Sequence, residues 1–267
     1  MPATDIALAE PASDLELIAA AAAEAGRIAM RYFGNAPEVW MKPGESPVTE
    51  ADFAVDTFLR ETLTSARPGY GWLSEETVDS AERLSARRTF VVDPIDGTRA
   101  FVEGRNVWCV SVAVVETGRP LAGVLDCPAL GEVYLAAAGG GATRNGEAIA
   151  VRSPTDGVMV AGPRPLTDAL RNHYPGLQRR HPYIPSLAYR IAMLADGRVD
   201  GTFVKPDSHD WDLAAADLIL AESGGRVLDP RGHELVYAGI DPVHGVLAAG
   251  SGALLEAMVE AISGHAG

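Results

Sequence analysis

Two carboxylates three residues apart, Asp93 and Asp96, end an apolar run in the string Phe90-Val91-Val92-Asp93-Pro94-Ile95-Asp96-Gly97-Thr98. Carboxylates and a backbone carbonyl such as that of Ile95 are the ligands a hard divalent cation prefers. Pro94 fixes φ between the two acids in what reads as a tight turn. Gly97 and Thr98 then open a short helix expected at Thr98–Val102, whose N–H groups suit a phosphate oxygen. An Asp-Gly pair alone is an ordinary turn closing a strand; six ordered positions of this kind after an apolar strand point to chemistry. Two further acidic elements accompany it: Ser74-Glu75-Glu76 after Trp72-Leu73, and Trp211-Asp212 at the head of an Ala-rich helix. Singly, a glutamate pair is usually solvated, and an Asp at a helix start, as Asp212 and Asp52 are, is favoured by capping and the helix dipole. Gathered, they would need cations. Two carboxylates about 4 Å apart repel by about 4 kcal/mol at an effective dielectric of about 20, and four in one pocket would exclude phosphate unless two divalent ions cancelled them.

The elements that must position these groups follow from periodicity. Ser13 and Glu16 form a capping-box pattern ahead of Leu15, Ile18, Ala22, Ala25, Ala29 and Tyr32 at helical spacing, with Gly34 as the stop. Trp40–Pro47 reads as loop. A second helix starts near Thr49, is expected to bury Phe53, Phe58 and Leu63, and ends before Pro68-Gly69. Thr89–Val92, Val107–Glu116, Leu121–Leu125 and Val133–Ala137 read as strands of an antiparallel meander, with a turn at Thr117–Pro120. Beyond residue 150 helix and strand alternate: strands at Val158–Ala161, Val199–Val204 and Val246–Ala249, helices at Leu187–Ala195, Trp211–Glu222 and Ala253–Ile262. The expected organisation is an N-terminal α+β half over residues 1–150 carrying the metal-binding loop. A C-terminal α/β half over 151–267 completes the site.

Composition narrows the class. The chain has 267 residues, 47% of them hydrophobic and 22% charged, which is ordinary for a globular protein with a full core. Disorder is expected only in the first dozen residues and the last few. A formal net charge of −14 repels phosphate backbones, so no nucleic-acid partner is expected. The Ala19–Ala23 run is interrupted by Glu24 and Arg27, far short of a membrane span, and the N-terminal segment carries acids where a signal peptide needs bases. Cys109 and Cys127 make no disulfide framework and read as reduced, partly buried thiols. A cytoplasmic location is the expectation.

Taken in order, these elements resemble the inositol monophosphatase family, the lithium-sensitive phosphatase superfamily. Its pattern is an acidic pair, then Asp-Pro-Ile-Asp-Gly-Thr-x-x-Phe, then Trp-Asp-x-Ala-Ala before Gly-Gly. Here these stand as Ser74-Glu75-Glu76, Asp93–Phe101 and Trp211–Ala215 with Gly224-Gly225. Gly141-Ala142, Asn145-Gly146 and Thr49-Glu50-Ala51-Asp52 match as well, so that the resemblance spans roughly residues 13 to 263. It implies a layered αβαβα sandwich of the α/β (α+β) class and a phosphomonoesterase using two or three Mg²⁺ ions to activate water. Glu75, Asp93 and the Ile95 carbonyl would hold one ion; Asp93, Asp96 and Asp212 a second; Asp52 would support a third through water. Thr98 and Glu75 would orient the attacking water, while the N–H groups of Gly97 and Thr98 bind the phosphate, with Asp96 also on the substrate side. Homodimers are common in the family and the resemblance allows one here.

Substrate choice departs from the inositol phosphatases. Seven residues before the Trp-Asp aspartate they carry a glutamate that contacts sugar hydroxyls; here that position is Lys205. A cation fits a substrate with a second negative group, such as a 3′(2′),5′-bisphosphate nucleotide, and Arg190 could serve likewise. Ser186-Leu187-Ala188-Tyr189-Arg190 also replaces a Gly-Ser-Ala-Ala segment. No His-x-x-x-His or His-Cys cluster surrounds His173 or His209, which argues against zinc; His209 is a candidate for the pocket mouth. The substrates in view are an inositol monophosphate or a bisphosphate nucleotide. The alternatives are a sugar bisphosphatase of the same superfamily and a regulatory binding protein that retains the metal site.

Overall fold

The computed structural model describes residues 11–35, 38–41, 47–153, 157–176 and 178–265. Helix α1 (Pro11–Met30) leads through the short pair β1 (Val39–Met41) and β2 (Pro47–Thr49) into α2 (Glu50–Ala66). Then come β3 (Gly71–Ser74), β4 (Arg88–Asp96), the brief α3 (Thr98–Val102), β5 (Cys109–Glu116), β6 (Arg119–Cys127), β7 (Glu132–Ala137), β8 (Ala142–Arg144) and β9 (Glu147–Ala148). The chain continues with β10 (Val158–Ala161), α4 (Arg164–Ala169), β11 (Gln178–Arg180), α5 (Leu187–Ala195), β12 (Gly201–Val204), β13 (Ser208–His209) and α6 (Asp210–Glu222). It closes with β14 (Arg226–Leu228), β15 (Val243–His244), β16 (Leu247–Gly250) and α7 (Gly252–Ile262).

Strands β3 to β9 form one seven-stranded sheet in sequence order, antiparallel except for the parallel β3–β4 pair. A five-stranded sheet has the order β11-β10-β12-β16-β14. Helices α1 and α2 cover one face of the larger sheet, where Ile18, Ala22, Leu59 and Leu63 meet Phe90, Val92, Val112 and Val124. Helices α5 and α6 fill the space between the two sheets, burying Ile191, Leu213, Ile219 and Leu220 against Leu125, Tyr134, Val204 and Ala249. Helix α7 covers the far side of the smaller sheet through Leu254, Leu255 and Met258. The layers therefore run αβαβα, as expected. Helices α5 and α6 lie between two sheets, which is why they are apolar nearly all round.

Several local expectations are corrected. Ser13 lies inside α1, not at its cap, and its hydroxyl accepts from Arg67 at 3.1 Å; Asp14 beside it is buried against Arg67, Arg88 and Tyr70, so a tertiary ion-pair cluster overrides the capping signal. Pro11 and Ala12, expected to be unstructured, are helical, and the rest of that stretch lies outside the described residues. The segment read as loop contributes Trp40, Met41 and Pro47 to the β1–β2 pair; Pro43 and Gly44 lie outside the described residues. Phe53 is 45% exposed, because Ala51, Val55 and Leu59 form the buried face of α2 and Phe53 stacks instead near Trp40. Cys109 and Cys127 are free and fully buried rather than partly so. Among the described residues no helix is long and apolar enough to cross a membrane.

One contact sets the distance between β6 and α6. A Cβ on Gly123 would stand 3.0 Å from the Ala215 carbonyl oxygen and 3.1 Å from its Cα. Gly123→Val is therefore expected to destabilise the fold by about 1–3 kcal/mol through overpacking. Gly69→Ala, with open space around it, should be near neutral. Denaturant midpoints of the two variants check this.

Candidate active site

All nine residues of β4 are buried, and its last four build the site. In a regular strand residues three apart point to opposite faces. Pro94 has no N–H to give the ladder, and the pairing with β5 slips there: Asp93 faces Ser111 but Asp96 faces Cys109. This extra residue is a bulge, not the tight turn expected after Val92, and it returns both carboxylates to one face. The turn comes one residue later, at Gly97. Its φ of +95° belongs to the left-handed region, and a Cβ there would meet Ser186 Cβ at 3.0 Å and the Val107 carbonyl at 3.1 Å.

The remaining carboxylates arrive from helix starts. Asp52 and Asp212 both occupy the third position of their helices, α2 and α6, and reach back to the residue before the helix. Asp52 accepts from the Thr49 N–H at 2.8 Å and the Thr49 hydroxyl at 2.6 Å, and Asp212 from the His209 N–H at 2.7 Å. These contacts are the capping role that either residue has in isolation; the fold adds the second role by aiming both helix starts at the β4 bulge. Carboxylate oxygens of Asp93, Asp96 and Asp212 lie within 4.8 Å of one another. Glu75 follows β3 directly, its N–H on the Val92 carbonyl at 3.2 Å. Asp56, one turn beyond Asp52, accepts from Ser74 at 2.5 Å and Thr77 at 2.7 Å and so pins the residues flanking Glu75 and Glu76.

Asp96 is held by a helix start as well. Its carboxylate accepts from the Leu187 N–H at 3.2 Å, from the Ala188 N–H at 2.7 Å, and from the Ser186 hydroxyl. Ser186 was not among the site residues expected from sequence; its signal was a serine one residue before an apolar helix. The Thr98 hydroxyl lies 3.0 Å from the Ile95 carbonyl and 3.3 Å from Asp52. Ile95 presents that carbonyl at the bulge while its side chain sits in the core.

The electrostatics are those of crowded, buried acid. Burial, then Glu75, Asp96, Asp212 and Asp52, push the Asp93 carboxyl well above the usual range. Burial also raises Asp96 to about 6, against the opposing hydrogen bonds from Ser186, Ala188 and Leu187. Asp212 is raised by burial, Asp96 and Glu75, while the His209 N–H and Lys205 act the other way. Five carboxylates thus bear on one point, and hard cations fit this donor set: buried and partly buried acids whose charge the protein alone does not neutralise.

At the rim the two predicted cations differ. Lys205, just past β12, is exposed and near enough to Asp212 to favour its ionised form. Arg190 on α5 is only 9% exposed; one amino group meets the Phe203 carbonyl at a long 3.5 Å, and its Nε has no partner. His209 stacks on Trp211 with ring centroids 4.4 Å apart and lies within electrostatic reach of Glu75. His244, not singled out from sequence, pairs with Asp210 at 2.7 Å and ties β15 to the α6 start. His173 sits elsewhere, 3.5 Å from Glu260.

A fold of this layering with such an acidic centre belongs to a phosphatase type of hydrolase. The chain is a member of the inositol monophosphatase family, whose profile matches residues 11–266. It is 35% identical over 227 residues to a histidinol-phosphatase of Mycobacterium tuberculosis, covering 80% of this chain and 86% of that one. To an inositol-1-monophosphatase of Mesorhizobium japonicum it is 32% identical over 264 residues, covering 93% and 95%. Among solved structures, an IMPase of Thermotoga maritima superposes with a TM-score of 0.81 at 26% identity, covering 94% of this chain and 99% of that one.

The raised acids carry a sign. An acid whose folded pKa exceeds its unfolded value contributes stability that is present below the unfolded value, and that stability is lost as pH rises through the folded one. Asp96 sets a window from its ordinary 3.8 to about 6, and Asp93 and Asp212 extend it upward. In EDTA, Tm should therefore fall as pH is raised from about 4 to about 8. Asp93→Asn should flatten that fall, and a divalent cation should reverse it; a Tm indifferent to all three would contradict the clustering.

Proposed function

We propose that this protein is a Mg²⁺-dependent phosphomonoesterase acting on a small phosphorylated metabolite whose leaving group carries a further negative charge, as a 3′(2′),5′-bisphosphate nucleotide does. The convergence of Glu75, Asp93, Asp96, Asp212 and Asp52 on one point supports it. Glu75, Asp93 and the Ile95 carbonyl would hold one ion, and Asp93, Asp96 and Asp212 another, with Asp52 able to support a third. Bound divalent ions supply charge neutralisation, a lowered water pKa and stabilisation of the leaving oxygen.

The chain's own groups do the positioning. When the Thr98 hydroxyl gives its hydrogen to the Ile95 carbonyl, its lone pairs are left to accept from a water. With the Glu75 carboxylate as second acceptor, that water is oriented for in-line attack. The Gly97 and Thr98 N–H groups, at the turn that follows Asp96, would take phosphate oxygens. Ser186, Leu187 and Ala188 fix the Asp96 carboxylate against rotation. The regulatory alternative is disfavoured because every carboxylate position of the site is filled.

Lys205 and Arg190 support the anionic leaving group. Lys205 stands where an inositol phosphatase carries a carboxylate for sugar hydroxyls, and Arg190 keeps most of its donors unused beside the site. Both would repel a cationic alcohol such as histidinol.

Phosphate release should be measured from adenosine 3′,5′-bisphosphate, inositol 1-phosphate, fructose 1,6-bisphosphate and histidinol phosphate, with Mg²⁺ and with EDTA. The expected result is metal-dependent release favouring the adenosine bisphosphate; no release from any of the four with Mg²⁺ present would overturn the proposal.

Lys205→Glu should raise KM for the bisphosphate by about tenfold or more, the worth of one charged hydrogen bond, and leave inositol 1-phosphate nearly unchanged. Equal effects on both would remove the lysine from substrate recognition.

A further inference from the structure

A cavity of about 230 Å³ lies at the edge of the smaller sheet; none of its lining residues belongs to the carboxylate cluster, and its charge is opposite. Arg164, Asp168 and Arg171 border it from α4 and the turn after it; Gln178, Arg179 and Arg180 border it from β11. Four arginines border it, with one carboxylate, Asp168, among them. Arg164 and Arg171 both lean on Asp168, at 3.4 and 3.7 Å. Arg179 and Arg180 make no ion pair with a carboxylate among the described residues.

The local excess of positive charge contrasts with the whole chain, which has 36 acids and 22 bases. Apart from Arg190, several buried or half-buried arginines each have a carboxylate: Arg83 has Asp79, Arg88 has Asp14 and Glu116, Arg152 has Asp200, and Arg198 has Asp196 and Glu132. Cations gathered around one space repel each other, and an anion entering it relieves that repulsion.

Size and chemistry narrow the anion. The volume is below the roughly 300–1,000 Å³ of sites for drug-sized ligands. At about 30 Å³ per water it equals roughly seven or eight water molecules. That suits a tetrahedral oxyanion or a small ester of one. Planar guanidinium forks match phosphate oxygens in bidentate fashion.

We propose that the arginine-lined cavity between α4 and β11 is a second, non-catalytic binding site for a small phosphate-bearing anion. Free orthophosphate and a small phosphate ester share the chemistry the site selects.

Isothermal titration of the full-length protein in EDTA at low ionic strength tests it, with inorganic phosphate as one probe and glycerol 3-phosphate as the other. Without metals the acidic centre repels anions, so the titration is independent of whether the enzyme turns over. Saturable binding of at least one probe is expected, weakened about tenfold or more in Arg179→Ala/Arg180→Ala, and unchanged in Asp93→Asn. Arg164→Ala/Arg171→Ala gives an independent pair should the first variant fold poorly, and melting curves verify both. The tighter probe identifies free phosphate or ester as the ligand. Failure of both probes to bind below about 10 mM, binding that survives both double substitutions, or binding lost in Asp93→Asn would overturn the proposal.

Discussion

Mutual repulsion among buried carboxylates is the constraint around which the rest of this molecule is arranged. Asp93 is fully enclosed, and four further acids raise its pKa. Such a cluster persists in a fold only if each member is held by donors that stabilise its charge. Three of the five are held in the same way, by the first turn of a helix. Asp52 and Asp212 reach back to the backbone before α2 and α6, and Asp96 accepts from the start of α5. Asp93 takes the Ile95 N–H at 3.0 Å within its own bulge. Helix starts favour negative charge by a few tenths to about 1 kcal/mol each, which orients these acids without neutralising them. The residual charge is what fits the centre to hard cations.

Layering follows from that requirement. Helix α2 lies on the outer face of the large sheet, while α5 and α6 lie on its inner face, between the sheets. Their N-termini meet at the β4 bulge only if the helices pack closely on the strands. Gly123 permits that approach for α6, and Ser111 on β5 donates to the Trp211 carbonyl at 3.2 Å. Residues with no direct chemistry, Asp56 and Ser74 among them, hold Glu75 in place from the α2 side. A buried ion cluster of Asp14, Arg67, Arg88 and Tyr70 fixes α1 and α2 to the far end of β4.

Charge is distributed with the same logic on a larger scale. The candidate active site is acidic, and under the proposed function it takes up cations before phosphate; Lys205 and Arg190 stand at its edge, one solvated and one buried with an unpartnered Nε. A buried guanidinium with an unpartnered Nε is costly unless a ligand completes it, which is the physical basis of the role proposed above for Arg190. The arginines around β11 are the reverse case, four cations gathered around the single carboxylate of Asp168.

The identity and order of the acids, the helix starts at Asp52 and Asp212, the strand before Asp93 and the short helix at Thr98 were legible from the chain alone. Capping, turns and hydrophobic periodicity are short-range effects written in neighbouring residues. The tertiary structure decided what those residues do together. The slip in β4 pairing, which puts Asp93 and Asp96 on one face, depends on register with β5. Ser186 holds Asp96 across 90 positions of sequence, and no local signal could name that partner. Phe53 turned outward, and Ser13 lost its cap to the Asp14 ion cluster, because packing against other elements outweighs a local preference of about 1 kcal/mol. The excess of positive charge beside β11 likewise exists only once α4 and β11 are brought side by side.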